Sequence, residues 1–162
     1  MARRRFLTPL RWSDMDAYGH VNNVQFLRLL EDARVLAFHG NNSDDGGDLL
    51  STGLLVARHH IDYLRPLQYR PQPVAIDVWI SEVAGASFEM CYEVLDDGCE
   101  EAGGPGGRPH STVYARAEST MVAYDLQAGR PRRFSADERQ RFAAWYSPAV
   151  HLRRRDRVRG RA

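Results

Sequence analysis

Lysine is missing from this chain: every one of its 22 basic residues, histidine aside, is an arginine. Against 21 acidic residues the net charge is only +1, so the body offers no default surface for nucleic acid. Cysteine is scarce too. Cys91 and Cys99 form no C-x-x-C pair and fit no metal-ligand spacing, which agrees with a reducing compartment. No apolar run approaches the ~20 residues that a bilayer span requires. The opening Met1-Ala2-Arg3-Arg4-Arg5 is basic like a signal peptide, but only residues 6–10 follow before Arg11, too few for an apolar h-region. A cytoplasmic protein with no membrane partner is expected. What is present is ordinary. The 162 residues are 43% hydrophobic and 27% charged, enough for one domain that buries roughly 70% of its unfolded surface.

The charge is unevenly placed. Residues 153–161 (RRRDRVRGR) hold six Arg against one Asp, and the rest of the chain is net negative. We read 1–148 as the domain and 149–162 as an Arg-rich, disordered tail. Within the domain, 3–11 reads as a first strand weakened by Pro9, which marks an edge or a break, and 12–22 as a polar loop. Residues 23–39 predict a helix. Val24, Leu27, Leu30, Ala33, Ala37 and Phe38 make one apolar face. Phe26, Leu29, Val35 and Leu36 carry the apolar surface almost all round, the mark of a deeply buried helix. Arg28 has Glu31 and Asp32 as local partners, and Glu31 has Arg34.

After a Gly/Asn/Asp loop at 40–53 the period changes to two. Leu55, Ala57, His59, Ile61 and Tyr63 share a face of a strand at 54–64, and Val74, Ile76, Val78 and Ile80 one at 74–83. Phe88, Met90, Tyr92 and Val94 share a face at 87–95, and Val113, Ala115, Ala117, Met121 and Ala123 one at 110–124. Residues 96–109 form a long hairpin loop. Residues 136–145 form a short surface helix opened by Ser135, with Glu138 at the capping-box position. A helix apolar on nearly every side needs a wrapping. A curved antiparallel sheet of about five strands around one long central helix supplies it, an α+β fold.

The chemistry concentrates between Arg11 and Arg34 (RWSDMDAYGHVNNVQFLRLLEDAR). Asn22 is a good N-cap, Gln25 stands at the third helical position for a capping-box variant, and Val21 and Phe26 occupy the two staple positions. Asn22 can satisfy the amide of Val24 or Gln25. The amide of Asn23, at the first helical position, then has no partner within the helix. It faces outward where the helix dipole favours negative charge, and such a group can stabilise an oxyanion. Gly19 allows close approach of a substrate. Asp14, Asp16 and His20 share the loop. On these residues alone the segment is either a hydrolytic site or a structural cap.

The segment resembles the 4-hydroxybenzoyl-CoA thioesterase family of the hotdog fold, whose members carry a pattern close to D-x-D-x-x-G-H-V-N-N-x-x-Y/F ahead of the central helix. Here it stands as Asp14-Met15-Asp16-Ala17-Tyr18-Gly19-His20-Val21-Asn22-Asn23, with Phe26 at the aromatic position. Ile61-Asp62-Tyr63-Leu64-Arg65-Pro66-Leu67 looks like the family's second strand and its exit, and Ser87-Phe88 like the start of the strand after the hairpin. The resemblance covers about residues 3–145. It implies hydrolysis of an acyl-CoA thioester to a free acid and CoA, with no metal and no organic cofactor. It also implies a homo-oligomer, dimer or tetramer, whose sheets join edge to edge with active sites at the subunit interface. The family's catalytic carboxylate falls on Asp16 and its polarising amide on Asn23. Gly19, His20, Val21 and Phe26 fall where substrate binds. Asp16 can act as general base on water or as nucleophile forming an acyl-enzyme anhydride, and both remain open. Glu31 is the alternative carboxylate, because some other hotdog thioesterases use one on the helix.

The chain departs from the family in one place. Some members carry basic residues just before the Ser-Phe pair, where they meet the CoA nucleotide; here the turn is Ala84-Gly85-Ala86. Arg65, Arg70 and Arg108 are then the candidates for CoA phosphates. The departure keeps an acyl-carrier-protein thioester open as substrate. A non-catalytic acyl-CoA-binding module and an RNA-associated role for the Arg tail are the other readings. His59 and His60 are adjacent in a strand and point to opposite faces, so they do not share a metal ion. Cys91 reads as a packed thiol.

Overall fold

In the computed structural model the described residues are 3–38, 53–96 and 112–153. Most of the loops expected at 40–53 and 96–109, with Cys99 and Arg108, and the tail beyond residue 153 lie outside them.

The first strand, β1, is Arg4–Thr8; Pro9, with no amide to give a ladder, follows it at once. A 3-10 turn at Trp12–Asp14 leads to α1 (Asn23–Phe38). Then come β2 (Leu54–Tyr63), β3 (Val74–Val83), β4 (Ser87–Leu95), β5 (Val113–Asp125), β6 (Arg130–Pro131) and α2 (Ala136–Ala143). All pairings are antiparallel, in the order β1-β3-β4-β5-β2, with β6 on β5. The sheet has six strands rather than five; the extra one is the two-residue β6, formed where the turn after β5 returns the chain.

One face of α1 packs on one face of the sheet. Phe26, Leu29, Leu30, Ala33, Ala37 and Phe38 share a core cluster with the alternate residues of β3, β4 and β5, from Ile76 and Val78 to Met90, Tyr92, Ala117 and Met121. The expectation of a helix buried almost all round needs correction. Val24, Leu36 and Val35 are 63%, 52% and 40% exposed, because a single sheet covers only one side of a helix.

The face read for β2 is also corrected, in its first half. A bulge between Val56 and Arg58 inserts one residue, and pairing with β5 puts Leu54 opposite Ala123 and Val56 opposite Met121. The inward set is therefore Leu54, Val56, His59 and Ile61, and Leu55 turns out to solvent. A bulge flips the alternation on one side of itself, and the local pattern carries no sign of it.

The outer face of the sheet is covered from an unexpected direction. Val150 and Leu152 are buried against Trp79 and Cys91. The Trp79 indole N–H donates to the Pro148 carbonyl at 2.8 Å, and Ile80 exchanges backbone bonds with Trp145 and Ser147, both at 2.9 Å. A boundary at 148 thus falls inside a packed strap that runs to Leu152. The helix expected as a surface element is half core. Phe142 and Trp145 join the main cluster, and Trp145 stacks on Phe38 with centroids 5.7 Å apart.

The cap of α2 forms as the sequence indicates. Ser135 Oγ accepts the Glu138 amide at 3.2 Å, and Glu138 accepts the Ser135 amide at 2.7 Å. Arg132 donates twice to the same carboxylate, at 2.7 and 2.9 Å. Chiefly through Arg132, these bonds pull the Glu138 carboxyl down from 4.5 to about 2. A carboxyl depressed in the folded state contributes stability that is complete above its unfolded value and is lost as pH falls through the folded one. Glu138→Gln is therefore expected to lower Tm by about 4 °C at pH 7. The gap between variant and wild type should close as pH falls from 5 toward 2. Thermal melts across that range check it, and a gap independent of pH would contradict the assignment.

Candidate active site

The start of α1 decides which backbone groups stay free. The Asn22 side chain accepts the Val24 amide at 3.1 Å, and its carbonyl accepts the Gln25 amide at 2.9 Å. Among the described residues nothing accepts the Asn23 amide. The capping-box variant with Gln25 does not form. Asn22's own N–H already donates to the Asp14 carbonyl at 2.8 Å, and Gln25 Oε1 accepts from Arg28 at 3.0 Å. Val21 and Phe26, the staple residues, are both buried in the main core.

The loop before the helix is held at both its aspartates. Asp16 Oδ1 accepts the amides of Tyr18 (2.8 Å) and His20 (3.2 Å). The Asp16 amide donates to the His20 carbonyl at 2.8 Å and the Gly19 amide to the Asp16 carbonyl at 3.1 Å. This closes a turn in which Gly19 adopts φ 77°. A Cβ there would touch nothing within 4 Å, so positive φ, not crowding, is what calls for glycine. Asp16 Oδ2 has no protein donor among the described residues. Asp14 is structural. It is 2% exposed, and its Oδ2 accepts the Arg11 amide at 2.8 Å and the Arg28 guanidinium at 2.7 Å. Arg28 also grips Asp32 at 2.6 Å, so it fastens the loop to the second and third turns of α1.

The other wall comes from the end of β2. The Tyr63 hydroxyl donates to the Asn23 carbonyl at 3.1 Å, and its ring meets Phe26 edge-on at 5.3 Å. Burial raises the Tyr63 pKa and keeps the phenol a donor. The amides of Leu64 and Arg65 both donate to the Tyr114 carbonyl, at 2.8 and 3.2 Å, and the Val21 amide donates to the Leu67 carbonyl at 2.7 Å. Between the walls lies a cleft of about 360 Å³. Asp16, His20, Val21, Asn23 and Phe26 line one side, and Tyr63, Leu64, Arg65, Pro66 and Leu67 the other.

Five of the seven residues picked from the sequence thus meet in one cleft. Gly19 shapes the loop without lining it. Glu31 stands apart: its side chain is 65% exposed, with Arg34 at 3.9 Å. The wall from Tyr63 to Leu67 is the part sequence reasoning missed, apart from Arg65; its local signal is Pro66, which fixes the chain just past a strand end. Arg70 is occupied by Asp96 at 2.6 Å and Tyr114 at 3.1 Å. His59 lies elsewhere, bonded through Nδ1 to Ser119 Oγ at 2.7 Å. Burial, aided by Arg34 and opposed by Glu31, lowers its pKa. Among the described residues no three ligating side chains cluster as a metal site, and no helix is long and apolar enough to cross a membrane. A carboxylate oxygen and a helix-terminal N–H facing one cleft can activate or deliver a nucleophile and stabilise the oxyanion that results.

The family model of the thioesterase-like superfamily matches residues 10–145, which include both walls of the cleft. No curated protein matches the sequence. Among solved structures, a predicted thioesterase from Bacillus stearothermophilus superposes with a TM-score of 0.72 at 20% identity, over 92% of this chain and 100% of that one. The probable thioesterase YbaW from Escherichia coli gives 0.68 at 21% identity, over 91% and 100%. A thioesterase from Thermus thermophilus, complexed with coenzyme A and Zn, gives 0.66 at 27% identity, over 87% and 92%. With the family match spanning both the loop of Asp16 and the strand end at Tyr63, the chain belongs to the thioesterase-like superfamily and is a thioester hydrolase of the hotdog fold.

Proposed function

We propose that the protein hydrolyses an acyl-CoA thioester to a free acid and CoA in the cleft between the α1 N-terminus and the end of β2. One observation carries this reading: Asp16 and Asn23 line the same cleft, one with an unengaged carboxylate oxygen and the other with an unengaged amide. The Asn23 N–H donates to the thioester oxygen and strengthens as that oxygen gains charge. Asp16 then acts in one of two ways. As base, it takes a proton from water as the water adds to the carbonyl carbon. As nucleophile, it adds to that carbon itself, and water later opens the anhydride. In both, the C–S bond breaks and CoA leaves as thiolate, which takes up a proton. His20 orients water or substrate, and Val21 and Phe26 offer the acyl group an apolar wall. Within the superfamily, the resemblance of the D-x-D-x-x-G-H-V-N-N stretch supports a reading as the 4-hydroxybenzoyl-CoA thioesterase type. Support for CoA comes from the Thermus thermophilus relative, which was solved with coenzyme A.

A carrier-protein thioester is the second reading, favoured by the Ala84-Gly85-Ala86 turn and its lack of basic residues. We further propose a homo-oligomer, dimer or tetramer, acting in the cytoplasm. β2 is an edge strand of 10 residues with Leu55 turned outward, and α1 presents Val24, Val35 and Leu36 uncovered by the other described residues. Long apolar edges of this kind are ordinarily covered.

Asp16→Asn is expected to reduce turnover of a short, medium, long and aromatic acyl-CoA panel by roughly 100-fold or more. The loop should survive, because Asn keeps an Oδ1 to accept the Tyr18 and His20 amides. Free-thiol release with a parallel melt checks this, and near-wild-type turnover in a folded variant removes Asp16 from the mechanism. Single turnover in ¹⁸O water can identify the nucleophilic role: label enters the Asp16 carboxylate when water opens the anhydride at the Asp16 carbon. Arg28→Met leaves the buried Asp14 carboxylate without its cation and is expected to cost about 2 kcal/mol in urea denaturation. It should also lower kcat about tenfold as the loop loses its register on α1, with partial recovery in Arg28→Lys. Lost stability with kcat intact would confine Arg28 to the fold.

A further inference from the structure

Several arginines among the described residues are held by carboxylates. Arg3, Arg5, Arg28, Arg70, Arg116 and Arg132 each lie within 2.9 Å of an acidic oxygen. Arg65 differs. It lines the cleft, is exposed, and meets no carboxylate among the described residues. Its backbone is nevertheless fixed. The amides of Leu64 and Arg65 share the Tyr114 carbonyl, Pro66 locks the next φ, and the Leu67 carbonyl holds the Val21 amide. The guanidinium therefore springs from a rigid ledge on the cleft wall. An uncompensated positive charge in a concave wall attracts anions, and a guanidinium fork suits phosphate above other side chains.

We propose that Arg65 is a phosphate subsite, binding the 4′-phosphate at the far end of the substrate's phosphopantetheine arm, whether CoA or a carrier protein presents that arm. The inference rests on the thioesterase reading of the cleft and names the part of the substrate this wall takes. The reach fits. The Tyr63 hydroxyl on Asn23 marks the thioester end. Arg65 lies two residues, about 7 Å, farther along the chain, and its own side chain extends the distance. The arm has about a dozen bonds between sulfur and phosphorus, comparable to four residues of extended chain, or roughly 14 Å. Arg70, the other nearby candidate, is held by Asp96 and Tyr114, and the turn at 84–86 offers no cation.

The test compares one acyl group carried on CoA, on 4′-phosphopantetheine and on pantetheine, for wild type and Arg65→Gln. Wild type should prefer the two phosphorylated carriers over pantetheine by roughly tenfold in kcat/KM at low salt, less as salt rises. Arg65→Gln should erase most of that preference, through KM, for CoA and phosphopantetheine alike. Arg58→Gln, which removes an arginine from the outer face of β2, should keep the wild-type ratio. Equal loss on all three carriers, or loss confined to CoA, overturns the subsite. Calorimetric binding of free CoA and free 4′-phosphopantetheine runs alongside. If wild type turns over no thioester but binds both ligands in an Arg65-dependent way, hydrolysis fails and the subsite stands. Binding unaltered by Arg65→Gln sinks the subsite whatever the turnover.

Discussion

A helix begins with amides that its own carbonyls cannot reach. At the start of α1 that deficit is settled unequally, and the cleft follows from the inequality. Asn22 answers for Val24 with its side chain and for Gln25 with its carbonyl, and the Asn23 amide is left over. Neighbouring contacts fix where that amide faces. Asp14 holds Asn22 from one side and Arg28 holds Asp14 from the helix. Tyr63 holds the Asn23 carbonyl from the sheet. The charge-assisted bond in this set is worth about 1.5–3 kcal/mol, and a buried carboxylate deprived of it is costlier still. The cleft is therefore stiff at the helix start.

The parts of this arrangement written in neighbouring residues were legible from the sequence. Asn22, Val21 and Phe26 sit within five positions of one another, and they located the helix start and its unpaired amide. The inward faces of β3 and β4 followed simple alternation because the one bulge between them lies beyond Ile80. Parts that depend on distant partners were not legible. Nothing around Ala57 announces the bulge, which exists in the register against β5. Gln25 had the right position for a capping box, but Arg28 and Asp14 competed for both of its ends. Tyr63 is 40 residues from the Asn23 carbonyl it binds. Val150 and Leu152 were masked by the arginines that follow them, although Trp79, far back in the chain, needs a cover. Val35 and Leu36 show the opposite failure: their apolar character suggests burial, yet no other described residue covers them.

An all-arginine set of cations shapes the outer face of the sheet. Arg5 and Asp77 stand directly opposite on β1 and β3, and Glu93 and Arg116 on β4 and β5. Arg3 reaches the same Glu93 at 2.7 Å. Such exposed pairs add little stability one by one. Their effect is on register, because a slip by one residue would set each fork against the wrong neighbour. The charge on this face of the sheet is thus arranged in matched pairs.

The strap from Trp145 to Leu152 has a consequence for how the chain acquires its structure. The contact between the Trp79 indole and the Pro148 carbonyl joins residues 69 positions apart, and β1 closes on β3 across a similar interval. Contacts of such long range slow folding, since a large loop must close before they form. During synthesis the apolar surface of Trp79 and Cys91 stays open until the strap has left the ribosome, long after the sheet beneath it could have formed. The interval in which that patch is naked is when the nascent chain is most prone to aggregate, and the segment that ends it is the last described stretch to be made.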